Sequence, residues 1–337
     1  MGTTSGLDRH MGKTTYAMWI GVFVAGILGL GLLLTYATRQ IDYIWRWYKI
    51  PRYFYSIEQI EIKSEIRGSV QAITAGKDSV TIRVAGEDEA ADYTVPAKAK
   101  LRMDNGDTVF AGDVLAAYEK RQAGILLQGL WITLKVSIYS IFFGIIIGLI
   151  GGLARLSANP ALRWSALTYV ELIRGSPLLV QIFIWYFVLA TVINELLRRH
   201  GIEEIPALWY GIASLAFFAG AYITEMVRAG IQSIHRGQIE ASRSLGMSYA
   251  QSMVHVVLPQ AMRRILPPLA GEFINLIKDS SLLGLIAIRE LTKATREGIT
   301  TSLQPYEFWF TCALLYLALT FTLSMFVKYL EKRTATP

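Results

Sequence analysis

Long runs without a charged residue dominate the pattern of this chain, and charged or polar segments separate them. An α-helix rises about 1.5 Å per residue, so roughly 20 residues cross the hydrocarbon core of a bilayer. Because that core offers no partners to backbone N–H and C=O groups, each run is predicted to be a transmembrane helix. The runs are Thr14–Thr38, Val136–Ala154, Gly175–Asn194, Ile205–Thr224 and Phe308–Val327.

The sequence around these runs predicts an all-α polytopic membrane protein with six spans and a small all-β insert outside the membrane. The first apolar run is longer than the core of a cleavable signal peptide, so it is interpreted as a retained anchor. After a polar tail at 1–13, the predicted spans are 14–38 and about 123–156, 166–194, 207–230, 263–288 (interrupted by charge) and 307–328.

Three domains follow from this pattern. Residues 1–55 form the anchor and an aromatic, basic interfacial segment, and residues 121–330 form the membrane domain. Residues 56–120 are charged and turn-rich, and Val80–Val84 alternates apolar and polar residues as a half-buried strand does. The stretch Gly106–Ala116 resembles the closing turn of barrel-sandwich hybrid domains, which include biotinyl and lipoyl carriers. An unmodified folded insert is expected, since no Met-Lys-Met-like tip is present.

Composition agrees with a membrane protein. The chain is 53% hydrophobic and carries a formal net charge of +7. The basic residues flank the predicted spans, where they set topology, and no basic stripe with stacking aromatics indicates nucleic-acid binding. The single cysteine, Cys312, lies in an apolar run and offers neither an intrachain disulfide nor a metal site.

The distribution of basic residues predicts an orientation. The connection at 231–260 is the most basic short one in the chain, so it is expected in the cytoplasm. Counting spans from it places both termini inside and the β domain on the periplasmic face of a bacterial inner membrane. Four basic residues then fall outside, against the rule, namely Arg39, Arg46, Lys49 and Arg52.

The strongest motif lies in that cytoplasmic connection. The segment EASRSLG at 240–246, followed by VVLP at 256–259, resembles the EAA loop of ABC importer permeases, with Ser242 for the usual second Ala and Val256 for Ile. Three further segments, ELIRGSPLLVQ at 171–181, AYITEMVRAGI at 221–231 and KDSSL at 278–282, resemble motifs of the polar amino acid (histidine/glutamine/glutamate-type) permeases. Together they cover about residues 125–330.

This resemblance implies a type I permease fold of five core helices, to which this chain adds an N-terminal helix and the insert. It implies a non-enzymatic subunit that works with an ABC ATPase dimer, a second permease subunit and a periplasmic amino-acid-binding protein, in a lipid bilayer. ATP and Mg would belong to the ATPase, and no cofactor or metal is expected on this chain. The residues implied to couple to the ATPase are Glu240, Ala241, Ser242, Gly246, Leu258 and Pro259.

The loop itself predicts two helices. Glu240–Leu245 contains no helix breaker, and Gly246 can adopt a positive φ that ends a helix. A second helix is predicted from Ser248 to Val257, ending at Leu258-Pro259 because proline lacks an amide donor.

Charged residues inside the fifth span suggest a translocation pathway. Glu272, Asn275 and Asp279 share one helical face, and intramembrane charges usually face a bundle interior or a wet cavity. An ion pair between Lys278 and Asp279 is the structural alternative. The further candidates are Glu171, Arg174, Gln181 and Glu225, of which Arg174 and Glu225 are alternatively structural partners.

Two other functions stay open at this point. An ion-coupled secondary transporter or channel would predict inverted repeats or matching broken helices, which the sequence does not show. A membrane-anchored carrier would use a lysine of the insert, with Lys77, Lys98 and Lys100 as the candidates.

Overall fold

The protein is a mostly helical membrane domain with a small β insert, as the sequence predicts. The computed structural model describes residues 12–86 and 89–334. Positions 1–11 of the predicted tail at 1–13 therefore lie outside the described residues. The chain divides into two compact units between Tyr48 and Lys49. This boundary falls inside the predicted anchor segment 1–55, because Ile50 and Tyr53 pack with the membrane domain.

The first unit is built around one apolar helix, α1 (Lys13–Gln40). Large side chains such as Phe23 and Leu32 are exposed along it, which suits a helix surrounded by lipid. Beyond its end, the Trp45 indole Nε1 donates to Thr38 Oγ1 at 3.2 Å and the ring stacks on Trp47 with centroids 5.6 Å apart. Such aromatic residues are typical of the membrane–water interface.

Within its described residues, the β insert has seven strands in two sheets, ordered β1-β7-β5 and β4-β3-β2-β6. The alternation predicted for Val80–Val84 is confirmed, because Val80, Ile82 and Val84 enter a core with Val95 and Leu115. The strands are β1 Tyr55–Lys63, β2 Gly68–Ala75, β3 Ser79–Ala85, β4 Ala90–Pro96, β5 Lys100–Leu101, β6 Thr108–Val109 and β7 Val114–Ala123.

The insert joins the membrane domain through its first and last strands. These pair antiparallel down to Tyr55 and Ala123, and the next residue, Gly124, is the N-cap of the first core helix. The Gly124 N–H donates to the Phe54 carbonyl at 2.7 Å, and a Cβ there would lie 2.3 Å from the Tyr53 carbonyl oxygen. A side chain at this position would therefore separate the insert from the helix.

Five helices are long and apolar enough to cross a membrane, within the described part of the chain. They are α1, α2 (Ile125–Arg155), the segment Leu178–Arg199, α6 (Ala207–Gln232) and α11 (Pro305–Thr334). The predicted fifth span appears as α9 (Leu258–Asp279), which carries too many charges to belong to that group. The remaining helices are α3 Pro160–Arg174, α4 Leu178–Phe183, α5 Ala190–Arg199, α7 Arg236–Ser244, α8 Tyr249–Ser252 and α10 Leu291–Ser302.

The third span predicted at about 166–194 is wrong at its start. The chain forms α3 first and breaks at 175–177, where Pro177 has extended backbone and Gly175 ends α3. A new helix starts at Leu178 and runs through a π turn, Ile184–Leu189, into α5. The sequence does mark the break, since Arg174 precedes the apolar run that starts at Gly175 and Pro177 disfavours a continuous helix.

The membrane core rests on close contact between α2 and α6. A Cβ at Gly148 would lie 2.4 Å from Ile223 Cγ2, and one at Gly152 would lie 2.4 Å from Val227 Cγ1. The small-residue spacing of α2 therefore marks a helix interface. The second helix of this pair also holds much of the central apolar cluster.

Candidate coupling loop and translocation pathway

The loop between α6 and α9 forms a compact helical elbow, defined here as residues 236–257. The helix α7 starts after His235, whose Nδ1 accepts from the Gly237 N–H at 3.1 Å. It begins earlier than the predicted Glu240–Leu245, because His235 supplies a cap that the sequence analysis overlooked. The Glu240 side chain points to solvent from the middle of α7.

Gly246 ends α7 as predicted. Its φ is +84°, a left-handed conformation that favours glycine, and the Met247 N–H returns to the Ser242 carbonyl at 3.2 Å. Nothing lies within 4 Å of a Cβ built at this position. The requirement for glycine is therefore set by the backbone and not by space.

A buried hydroxyl pair joins the two halves of the elbow. Ser242 is only 3% exposed, donates to the Ile239 carbonyl, and its Oγ lies 2.7 Å from Ser252 Oγ. On the other side, Ser248 and Gln251 form a reciprocal capping box at the start of α8. Ser242, which replaces the usual alanine of the motif, thus has a structural role, because its hydroxyl holds α7 against α8.

The elbow exposes apolar side chains that the sequence analysis did not select. Leu245 is 84% exposed, and Tyr249 and Val254 are each more than half exposed. Exposed residues of this kind, next to Glu240 and away from the apolar membrane runs, form a surface suited to a partner protein.

The prediction that the second loop helix ends at Leu258-Pro259 is wrong. A π turn spans Met253–Val257, where the Leu258 N–H donates to the Met253 carbonyl five residues earlier. The helical backbone then continues through Pro259, which occupies the first turn of α9, where a missing N–H is tolerated. The last part of the elbow and α9 therefore form one helical rod from Tyr249 to Asp279, in which the π turn and the internal Pro267 and Pro268 alter the hydrogen bonds but do not end the helix.

The polar residues of α9 differ in how far their side chains are exposed. Glu272 is 6% exposed and lies one turn before Asn275, whereas Asn275 and Lys278 are exposed and Asp279 is half-buried. Among the described residues no salt bridge joins Lys278 to Asp279. The two residues interact electrostatically without a direct salt bridge, so the ion-pair alternative stays a prediction.

The remaining pathway candidates lie elsewhere. Glu225 bridges Arg155 at 3.1 Å and Arg228 at 2.7 Å, so it joins α2 to α6. The Arg174 guanidinium lies 5.1 Å from the centre of the Tyr222 ring. Arg174 and Glu225 nevertheless line one cavity of about 520 Å³, together with Arg264 of α9.

Two candidates make no contact with the polar face of α9. The Gln181 Nε2 donates to the Ile173 carbonyl at 2.7 Å and to Ser176 Oγ at 2.9 Å, which holds the α3–α4 break. Its Oε1 has no hydrogen-bond partner among the described residues. Glu171 is exposed on α3.

Comparison with known proteins identifies this arrangement. Residues 140–336 match the family described as "Binding-protein-dependent transport system inner membrane component". The chain belongs to this family. The match covers more than half of the chain and includes the elbow, α9 and the α2–α6 interface, so this permease is a multi-pass inner-membrane protein. The insert and α1 precede the matched region.

Individual relatives agree with the family. The permease is 38% identical over 207 residues to the probable glutamine ABC transporter permease protein GlnM of Bacillus subtilis (strain 168), which covers 61% of this chain and 92% of that protein. It is 36% identical over 209 residues to the glutamine transport system permease protein GlnP of Escherichia coli (strain K12), over 62% of this chain and 92% of that one.

Solved structures share the fold. A crystal structure of an amino acid ABC transporter with histidines superposes on the permease with a TM-score of 0.55 and 35% identity, over 62% of this chain and 94% of the other. The inward-facing MetNI methionine ABC transporter gives a TM-score of 0.54 at 24% identity, over 63% of this chain and 97% of the other, and shows the fold alone. The resemblance and fold class expected from the sequence are confirmed.

Proposed function

We propose that this permease imports polar amino acids, driven by ATP that a separate ABC ATPase dimer hydrolyses. The relatives given above are named as a probable glutamine ABC transporter permease and a glutamine transport system permease, and the structural neighbour at 35% identity is named as an amino acid ABC transporter. The partners are the ATPase dimer, a second permease subunit, either a copy or a relative, and a binding protein that delivers the amino acid. ATP and Mg bind to the ATPase, and this chain contributes no catalytic group and no cofactor.

The observation that carries this proposal is the helical rod from the elbow to α9. The backbone stays helical from Tyr249 to Asp279, through the π turn Met253–Val257 and through Pro267 and Pro268 inside α9, so a displacement of α8 is passed along this helix to Glu272 and Asp279. Packed helices shift between discrete positions more readily than they deform. An ATPase that binds Leu245 and Glu240 therefore acts on this rod through the Ser242–Ser252 contact, which holds α7 against α8.

The chemistry of α9 suits an amino acid. A free amino acid carries an ammonium and a carboxylate, and both need partners when water is removed. The carboxylates of Glu272 and Asp279 suit the ammonium, and the Lys278 ammonium suits the carboxylate. Glu272 and Asp279 share one face of α9, roughly 10 Å apart along its axis, and Lys278 lies about 100° around the helix from Asp279, so a small solute would meet these groups one after another and not all three at once.

The proposed orientation follows from the coupling role. The elbow, Arg155 and both termini face the cytoplasm, where ATP is present, and the β insert lies in the periplasm. The secondary-transporter alternative accounts for neither the elbow nor the family. The carrier alternative stays a prediction for Lys77, which lies in the β2–β3 turn, and for Lys98 and Lys100.

Purification from native membranes followed by reconstitution tests the proposal. A nucleotide-hydrolysing protein should co-purify, and proteoliposomes holding the complex, the binding protein and ATP should accumulate labelled glutamine. Glu272→Gln should lower uptake about tenfold or more while the complex assembles normally, because a buried charge partner is lost. Glu61→Gln, in the insert, is the matched control and should leave uptake unchanged. ATP-independent uptake would contradict the proposal.

A further inference from the structure

The short helix α10 is bracketed by two strained residues. Ala287 before it has φ +63° and Leu303 after it has φ +56°, and both are left-handed conformations that disfavour residues with a Cβ. Leu303 is also 82% exposed, so no packing of its side chain offsets the strain. Backbone strain of this kind persists only where the surrounding structure or a function maintains it.

The two ends of α10 are held very differently. At its N-terminus the Glu290 carboxylate, which is fully buried, accepts from the Thr292 N–H at 2.7 Å and from the Tyr316 hydroxyl of α11 at 2.9 Å. The Leu291 N–H donates to Thr133 Oγ1 of α2 at 3.1 Å. This end is therefore fixed to two core helices.

At the opposite end, the joint Ser302–Gln304 between α10 and α11, the Leu303 N–H donates to the Ile299 carbonyl at 2.8 Å, but the Gln304 side chain is unpaired within the described part of the chain. Gln304 is 2% exposed, and neither its Nε2 nor its Oε1 has a hydrogen-bond partner among the described residues. Its backbone N–H reaches only Ser302 Oγ, at 3.3 Å. A buried amide with both atoms unpaired destabilises the arrangement that holds it, and such groups are rare in native proteins.

The helix α10 links this joint along the chain to α9, which carries the pathway residues. A 3₁₀ helix, Ser280–Ile286, continues from Asp279 of α9 and leads to α10. The 22 residues of α9 span roughly 33 Å at 1.5 Å per residue, with the elbow at one end and α10 towards the other. The strained joint is therefore connected, through α10 and the 3₁₀ helix, to the helical rod that carries the pathway residues.

We propose that the Ser302–Gln304 joint is a two-position switch of the transport cycle. In the arrangement described here Leu303 is strained and the Gln304 amide is unpaired. In the other arrangement α10 pivots about Glu290, the joint relaxes, and the Gln304 amide gains partners. The proposal rests on the proposed function for the role of the switch in uptake, but the existence of two positions is independent of it.

Replacing the amide tests the switch. Gln304→Met keeps length and shape but removes the unpaired polar atoms, so it should stabilise the present position. We expect the purified complex to melt about 2–4 °C higher and amide hydrogen exchange in residues 299–308 to slow about fivefold or more. Uptake should fall about fivefold or more, since the switch leaves this position less often.

Gln181→Met is the matched control, because it is the same change at a buried glutamine whose Nε2 is hydrogen-bonded. It should lower the melting temperature without slowing exchange at the joint. Leu303→Asn is an independent second variant, since asparagine tolerates the left-handed conformation, and it should shift melting and exchange in the direction of Gln304→Met.

The outcomes separate the two proposals. A lower or unchanged melting temperature for Gln304→Met, unchanged exchange at the joint, or slowed exchange with normal uptake would each overturn the switch. If the unaltered complex shows no ATP-driven uptake, the proposed function fails, and melting and exchange at the joint still decide whether two positions exist.

Discussion

Replacing Gly246 by valine should disconnect ATP hydrolysis from transport without preventing membrane insertion. The residue adopts φ +84°, and a Cβ there meets nothing within 4 Å, so the cost is conformational. A side chain in the left-handed region costs about 1–2 kcal/mol, and this shifts the equilibrium between the docking geometry and relaxed geometries of the elbow about 5- to 30-fold against docking. The assay is labelled amino acid taken up per ATP hydrolysed in proteoliposomes, which should fall by at most that factor.

The matched control at the same position is Gly246→Asn. Asparagine tolerates the left-handed conformation far better than a β-branched residue, so coupling should stay within about twofold of the unaltered permease. The amount of each variant in the membrane must be equal for the comparison. Normal coupling in Gly246→Val, or equal loss in both variants, would refute the reasoning from backbone conformation.

Three further changes test other parts of the structure. Glu240→Lys should abolish uptake and reduce ATPase co-purification, because it reverses the exposed charge of α7, whereas Glu61→Lys in the insert should do neither. Gly148→Val should lower the melting temperature, since its Cβ would approach Ile223 Cγ2 to 2.4 Å and overpacking costs about 1–3 kcal/mol; an unchanged temperature would contradict the α2–α6 contact. Glu225→Ala should destabilise the permease by roughly 2 kcal/mol in denaturant unfolding, because it leaves two partly buried arginines unpaired, and a loss below about 0.5 kcal/mol would argue against the bridge.

The sequence was sufficient where local rules decide the structure. The apolar runs predicted the membrane helices, alternation at Val80–Val84 predicted a strand, and Gly246 predicted the end of α7. The loop residues predicted two helices there, and the structure contains α7 and α8. These features depend on residues close together in the chain, so a pattern of a few positions is enough to find them.

Features that depend on tertiary contacts could not be predicted in this way. Glu225 pairs with Arg155 across 70 positions, and Ser242 meets Ser252 only because the elbow folds back. The path of the helix through Pro259 depends on a π turn that leaves no recognisable pattern in the sequence. The absence of hydrogen-bond partners for the Gln304 side-chain amide, among the described residues, can likewise be recognised only from the residues that surround it in the fold.

The central claim is that an ATP-hydrolysing protein grips the elbow, and photo-crosslinking in native membranes tests it most directly. A photoreactive amino acid at Leu245, which is 84% exposed, should form an adduct with a nucleotide-binding protein. The same probe at Leu303, which lies beyond the opposite end of α9, should not. An inserted permease whose Leu245 probe captures lipid alone, or no nucleotide-binding protein, would contradict the account.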